Sequence, residues 1–211
     1  AGNNNVTLAK VKILIENQIT LPITGLSASS EVMLLSCNTS RGLIYQTTVP
    51  FDQNIGRFLP GTSLTFHPAF AGKATKITFS FQFSEPVNTG DSFSWTLPEF
   101  AFQGNETFSV AGRDFALFEP ATWNKSKSEL TVMAKVGWQK LRNVSFSIDR
   151  PEVKGTSGFY LPFKGIQPSA LDITISTDAV AGAVFPLPVE QIPSIGSFGD
   201  SARISFQPPI A

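Results

Sequence analysis

Few side chains in this protein are suited to chemistry, and their spacing decides what they can do. There is one cysteine, Cys37, and one histidine, His67. A lone thiol forms neither an internal disulfide nor a cysteine-rich zinc site, so Cys37 reads as a small apolar strand residue. His67, in LTFHP, has no second imidazole with which to share a metal, and it reads as a solvated or hydrogen-bonded side chain. No G-x-S-x-G elbow and no glycine-rich phosphate loop is present. Asp91, Glu99, Asp114 and Glu119 are the acids a paired-carboxylate glycosidase would draw on. Each stands beside Gly or Pro or at a strand end, where a turn-forming acid is the commoner use. Asp91, in Asn-Thr-Gly-Asp, lacks the alternating oxygen ligands of a calcium loop. The sequence therefore predicts no enzyme, no cofactor and no metal site.

Asparagine is more informative. Asn5 (NVT), Asn38 (NTS), Asn105 (NET), Asn124 (NKS) and Asn143 (NVS) each open an Asn-x-Ser/Thr triplet without proline. A chain this rich in Ser and Thr would show roughly two by accident, so these five are candidate N-glycan acceptors of a secreted protein. Glycans also supply hydration that the composition otherwise lacks. Only 15% of residues are charged, and 16 basic residues cancel 16 acidic ones. A nucleic acid or an acidic membrane calls for a basic face, so neither is expected as a partner. No apolar run is long enough for insertion into a membrane, and the absence of a charged-then-apolar leader at Ala1 fits a mature extracellular form.

The elements that must carry these residues are strands. Period-two alternation recurs in KITFSFQFS (76–84), SFSWTLP (92–98), ELTVMAKV (129–136), NVSFSID (143–149) and DITIS (172–176), punctuated by Gly, Pro, Asn or Asp. No window carries a capped helical stripe. The expected class is all-β, as two immunoglobulin-like or jelly-roll-like antiparallel sandwiches. Sandwiches of this size also bind sugars through exposed aromatics. The alternative function is thus a carbohydrate-binding module with Trp95, Trp123, Trp138 and Tyr160 as a stacking platform. Trp95 shares strand parity with Phe93 and Leu97 and is expected in the core; Trp123 and Trp138 are open to either reading.

Residues 21–71 align with 161–211 at an offset of 140 without gaps, giving 13 identities in 51 positions where chance gives about three. The identities include Gly25 with Gly165, Gly42 with Gly182, Val49 with Val189, Ile55 with Ile195, Gly56 with Gly196, Phe58 with Phe198 and Phe66 with Phe206. In this register SARISFQPPIA (201–211) is the counterpart of GTSLTFHPAFA (61–71), which leads directly into an alternating strand. The expected organisation is a smaller domain, 1–60, lacking its opening strand; a larger domain, 61–200; and a C-terminal strand, 201–211, that completes the first domain of a neighbouring subunit or repeat. A sandwich short of a strand exposes unpaired backbone and an apolar groove that invite another strand. Three closures remain open at this stage: the tail folding back on its own chain, donation to a neighbouring copy, and a covalent tandem string. In the second, Ile204, Phe206, Pro208 and Ile210 form the subunit interface, and self-association runs head to tail.

This layout resembles donor-strand fibre subunits such as chaperone-assembled pilins in topology, without a pilin motif or the pilin disulfide. The P-x-x-A-G turn (68–72), the Gly-Asp of NTGDSF and the following LPEF resemble tandem β-sandwich repeats of large algal and protist surface proteins, over residues 61–200. The pilin-like topology implies head-to-tail growth and the repeat resemblance an extracellular surface protein; with the five Asn-x-Ser/Thr triplets, the expected function is a structural subunit of an extracellular glycosylated filament.

Overall fold

The computed structural model describes residues 33–39, 42–49, 55–151, 157–167 and 170–196. It is nearly all β, and among the described residues there is no α-helix, only a single 3-10 turn at Phe115–Leu117. The strands are β1 (Met33–Thr39), β2 (Gly42–Val49), β3 (Ser63–His67), β4 (Ala74–Gln82), β5 (Ser92–Thr96), β6 (Ala101–Gln103), β7 (Thr107–Phe108), β8 (Ala121–Asn124), β9 (Glu129–Met133), β10 (Asn143–Ile148), β11 (Gly158–Tyr160), β12 (Thr174–Thr177) and β13 (Val184–Pro188). Each of the five alternating segments read from the sequence overlaps one of these strands.

Two larger antiparallel sheets form a β-sandwich-like body. One runs β10-β4-β11-β6, with β3 on the other edge of β4; the other runs β13-β12-β5-β9-β8-β7. Alternation decides the facing. In β4, Thr75, Ile77, Phe79 and Phe81 are buried while their neighbours are half-exposed, and β5 does the same with Phe93 and Trp95. Side chains of the two sheets meet as aromatic pairs: Phe79 with Trp95 at 5.0 Å between ring centres, and Phe81 with Phe93 at 4.8 Å. Phe146 of β10 stacks on Phe79 at 4.9 Å and 10°. Burying each such ring contributes roughly 1.5–3 kcal/mol, and the edge-to-face pairings add to that. The chain enters this body through Ile55–Pro60. Leu59 donates its amide to Gln82, Ser84 donates to Arg57, and Phe58 packs against Phe81, Phe83 and Phe93.

β1 and β2 form a two-stranded sheet of their own. Its pairing matches that of the β12–β13 hairpin at an offset of 140. Leu34 faces Thr48 and Leu35 faces Thr47, then the register shifts and Cys37 faces Ile44. In the later hairpin Thr174 faces Pro188 and Ile175 faces Leu187, the register shifts, and Thr177 faces Val184. Both hairpins thus carry a β-bulge at the same register position. They also expose an aromatic at the same place, Tyr45 at 82% and Phe185 at 85%.

Candidate functional site

The acids singled out from the sequence lie apart and serve the scaffold. Asp91 is buried; its Oδ2 accepts the Asn88 amide at 2.8 Å and its Oδ1 accepts the Val180 amide at 3.1 Å. Its carboxylate closes the Asn88–Asp91 turn and ties it to the turn of the β12–β13 hairpin. Asp114 is buried between Arg113 and Arg142, each 2.9 Å away, and accepts the Ser145 amide at 2.9 Å. Burial alone would raise its carboxyl, but the Ser145 amide and the two guanidiniums outweigh that and hold it below the ordinary carboxylate value. Glu99 is exposed and pairs with the exposed Lys164 at 3.1 Å, a contact that solvent screens. Glu119 is half-buried and donates its amide to Met133. His67 is exposed at the end of β3. Cys37 lies in β1 opposite Ile44. Among the described residues no cluster of three or more His, Cys, Asp or Glu could hold a metal.

Three of the four residues of the expected aromatic platform are in the core. Trp95, Trp123 and Trp138 are all buried, at 2%, 4% and 7% exposure. Trp95 sits among Phe79, Phe81 and Phe146, as its strand parity predicts. Trp123 packs edge-on to Phe159 at 4.9 Å, and Trp138 stacks on Phe93 at 5.7 Å. The turn-like neighbours that left these two undecided in the sequence are the ends of the strands and bridges that bury them. Tyr160, half-exposed, donates its hydroxyl to Gln103 Oε1 at 2.6 Å.

β3 is the strand whose residues align with 201–211 at the 140-residue offset. β3 pairs with β4 from Ser63–Ser80 to His67–Lys76. On its other side Ser63 bridges Gln191 in parallel; Leu64 donates to the Gln191 carbonyl and Gln191 donates to Thr62, both at 3.0 Å. Glu190 completes the clamp, accepting the Gly61 amide at 2.6 Å while its own amide donates to Thr62 Oγ1 at 3.2 Å. Leu64 and Phe66 point into the core, fully and nearly fully buried, and Phe66 lies 5.9 Å from Phe100. The sequence identified this strand by its register with 201–211. The Glu190–Gln191 clamp carries no such signal, because Pro50 and Phe51 stand at the counterpart positions.

Several positions identical across the 140-residue offset fall where backbone meets backbone. Gly165 has φ +75°, and the Ile195 carbonyl occupies the space its Cβ would need; Ile166 and Ile195 exchange two backbone hydrogen bonds of 2.9 Å beside it. Gly182 lies directly against Gly56. Leu161, Val189 and Ile195 are buried.

Of the glycan candidates, Asn105, Asn124 and Asn143 are exposed. Asn124 Oδ1 accepts the Ser126 hydroxyl at 2.8 Å, so the Asn and Ser of that triplet already face each other in a turn. Asn38 lies in β1 opposite Leu43. Asn5 and the whole tail segment with Ile204, Phe206, Pro208 and Ile210 lie outside the described residues.

No family model, curated protein or solved structure matches this chain.

Proposed function

We propose that the chain is a non-enzymatic structural module of an extracellular, N-glycosylated filament, built from β-sandwich units joined head to tail. In this reading residues 201–211 open the unit that follows, by strand complementation between copies or as the next repeat of a string. The observation that carries it is the shared register of the β1–β2 and β12–β13 hairpins, bulge included, at the 140-residue offset that aligns 201–211 with β3. Bulge positions follow from how a hairpin must bend within its sheet, so two hairpins bulged at equivalent residues argue for two units of one plan. β3 then serves as the template for the tail: Ile204 and Phe206 take the places of the buried Leu64 and Phe66. Burying two such side chains contributes roughly 3–6 kcal/mol before the ladder hydrogen bonds form. A contact of this kind is heterologous and grows into an open filament when its rotation does not close a ring. The exposed Asn105, Asn124 and Asn143 suit a glycosylated surface, which would also keep a charge-poor filament soluble.

The test is the state of association. Sedimentation of the full chain over a wide concentration range is expected to show species growing by whole subunits, and deletion of 201–211 is expected to leave soluble monomers of lower melting temperature. A full chain that stays monomeric at every concentration would contradict the reading of separate copies joining. Intact mass after expression in a glycosylating host is expected to exceed the polypeptide mass, with the excess removed by an N-glycanase.

A further inference from the structure

Gly56 and Gly182 touch main chain to main chain. A Cβ on Gly56 would collide with the Gly182 carbonyl and stand 2.5 Å from the Phe83 ring; a Cβ on Gly182 would stand 2.8 Å from Gly56 Cα. No side chain fits at either position, so the segment entering β3 can lie against the turn of the β12–β13 hairpin only because both residues are glycine. In the 140-residue register Gly56 becomes Gly196 and Gly182 becomes Gly42, and all four are glycine. Gly42 opens β2 at the turn of the earlier hairpin, opposite Thr39.

Gly196 presents a contrast. Among the described residues nothing lies within 4 Å of where its Cβ would be, and its φ is outside the left-handed region that favours glycine. The described part of the chain gives no reason for glycine there. Its counterpart Gly56 has one, and that reason is a hairpin turn belonging to the next unit along.

We infer that Gly196 docks against Gly42 of a second copy of this chain, reproducing between copies the contact that Gly56 and Gly182 make within one. The inference rests on the head-to-tail reading and extends it. The docking segment begins at Gly196, ahead of residues 201–211, and the receiving surface includes the β1–β2 turn. The spacing is consistent: Gly56 stands seven residues before Ser63 of β3, and Gly196 stands seven before Arg203.

The experiment compares the full chain with Gly196→Val, the milder Gly196→Ala, Gly56→Val and the deletion of 201–211, by sedimentation velocity and by thermal melting at concentrations where the wild type is dissociated. Gly196→Val is expected to melt as the wild type does when dissociated but to associate at least about tenfold more weakly, with Gly196→Ala intermediate, as overpacking a close contact requires. Gly56→Val is expected to lower the melting temperature of the dissociated chain itself. If the deletion abolishes association and Gly196→Val does not, the glycine contact is overturned while the head-to-tail reading stands. If Gly196→Val destabilises the dissociated chain as Gly56→Val does, the glycine serves its own chain and the inference fails. A wild type that never associates overturns both this contact and the reading of separate copies joining.

Discussion

The β1–β2 and β12–β13 hairpins share a register, a bulge position and an exposed aromatic, yet they differ in company. β12 is hydrogen-bonded to β5 along four residues, from Thr174–Thr96 to Thr177–Phe93, and its turn is held by Asp91. Asp178 accepts the Ser92 amide at 2.6 Å and Thr177 donates to the Ser92 carbonyl at 2.7 Å, so the turn is fixed at several points. Among the described residues β1 and β2 pair only with each other. An isolated two-stranded hairpin is marginal in water, and stability comes with further strands on a shared apolar face. One backbone plan thus occurs in two settings among the described residues, one flanked by a further strand and one paired only within itself.

The largest expected effect breaks the flanked member. Ile175 is 1% exposed, and Ile175→Ala should lower the unfolding free energy of the sandwich by about 2–5 kcal/mol in urea titration. Leu35→Ala, its counterpart by register, is expected to cost less in the dissociated chain and to approach the Ile175→Ala value under conditions of assembly. Equal costs in the dissociated state would erase the distinction between the hairpins.

Next comes the tie at the turn. Asp91→Ala removes the acceptor of two backbone amides, which should cost about 1–3 kcal/mol and speed hydrogen exchange at the Val180 amide. Ser40 stands at the register position of Val180, and exchange there should not respond.

Acid separates the regions in another way. Asp114 lies in the stretch between the two aligned segments and has no counterpart in residues 1–60. Because its folded carboxyl titrates below the ordinary value near 3.8, its contribution is fully present well above pH 4 and is lost as pH falls through 4 towards the lower folded value. Melting temperature should therefore fall across that range, and Asp114→Asn should flatten the fall while lowering stability at neutral pH. The smallest effects belong to the exposed aromatics: Phe185→Ala and Tyr45→Ala should each change the stability of the dissociated chain by no more than about 0.5 kcal/mol.

The long strands were legible because one face of each is buried, which writes period-two alternation directly into β4, β5, β9 and β10. β6, β7 and β11 were not, since strands of two or three residues are fixed by their partners and leave no period to read. β13 carries Pro186 and Pro188, which argue against a strand, and it exists because it is the edge of its sheet, where a missing donor costs little. The burial of Trp123 and Trp138 depended on Phe159 and Phe93, distant in sequence. The Asp114–Arg142 pair joins residues 28 apart with no local signature. The Gly56–Gly182 contact spans a wider gap still, and only the internal register hints at it.

The central claim is that residues 201–211 are the opening strand of the unit formed by residues 1–60. The most direct measurement is thermal melting of the chain lacking 201–211, titrated with a synthetic peptide of that sequence. A saturable rise in melting temperature is predicted, as for any ligand that binds the folded state alone, and it should vanish when the peptide carries Ile204→Ser and Phe206→Ser. An unchanged melting temperature at saturating peptide, or an equal rise with the doubly substituted peptide, would contradict the account.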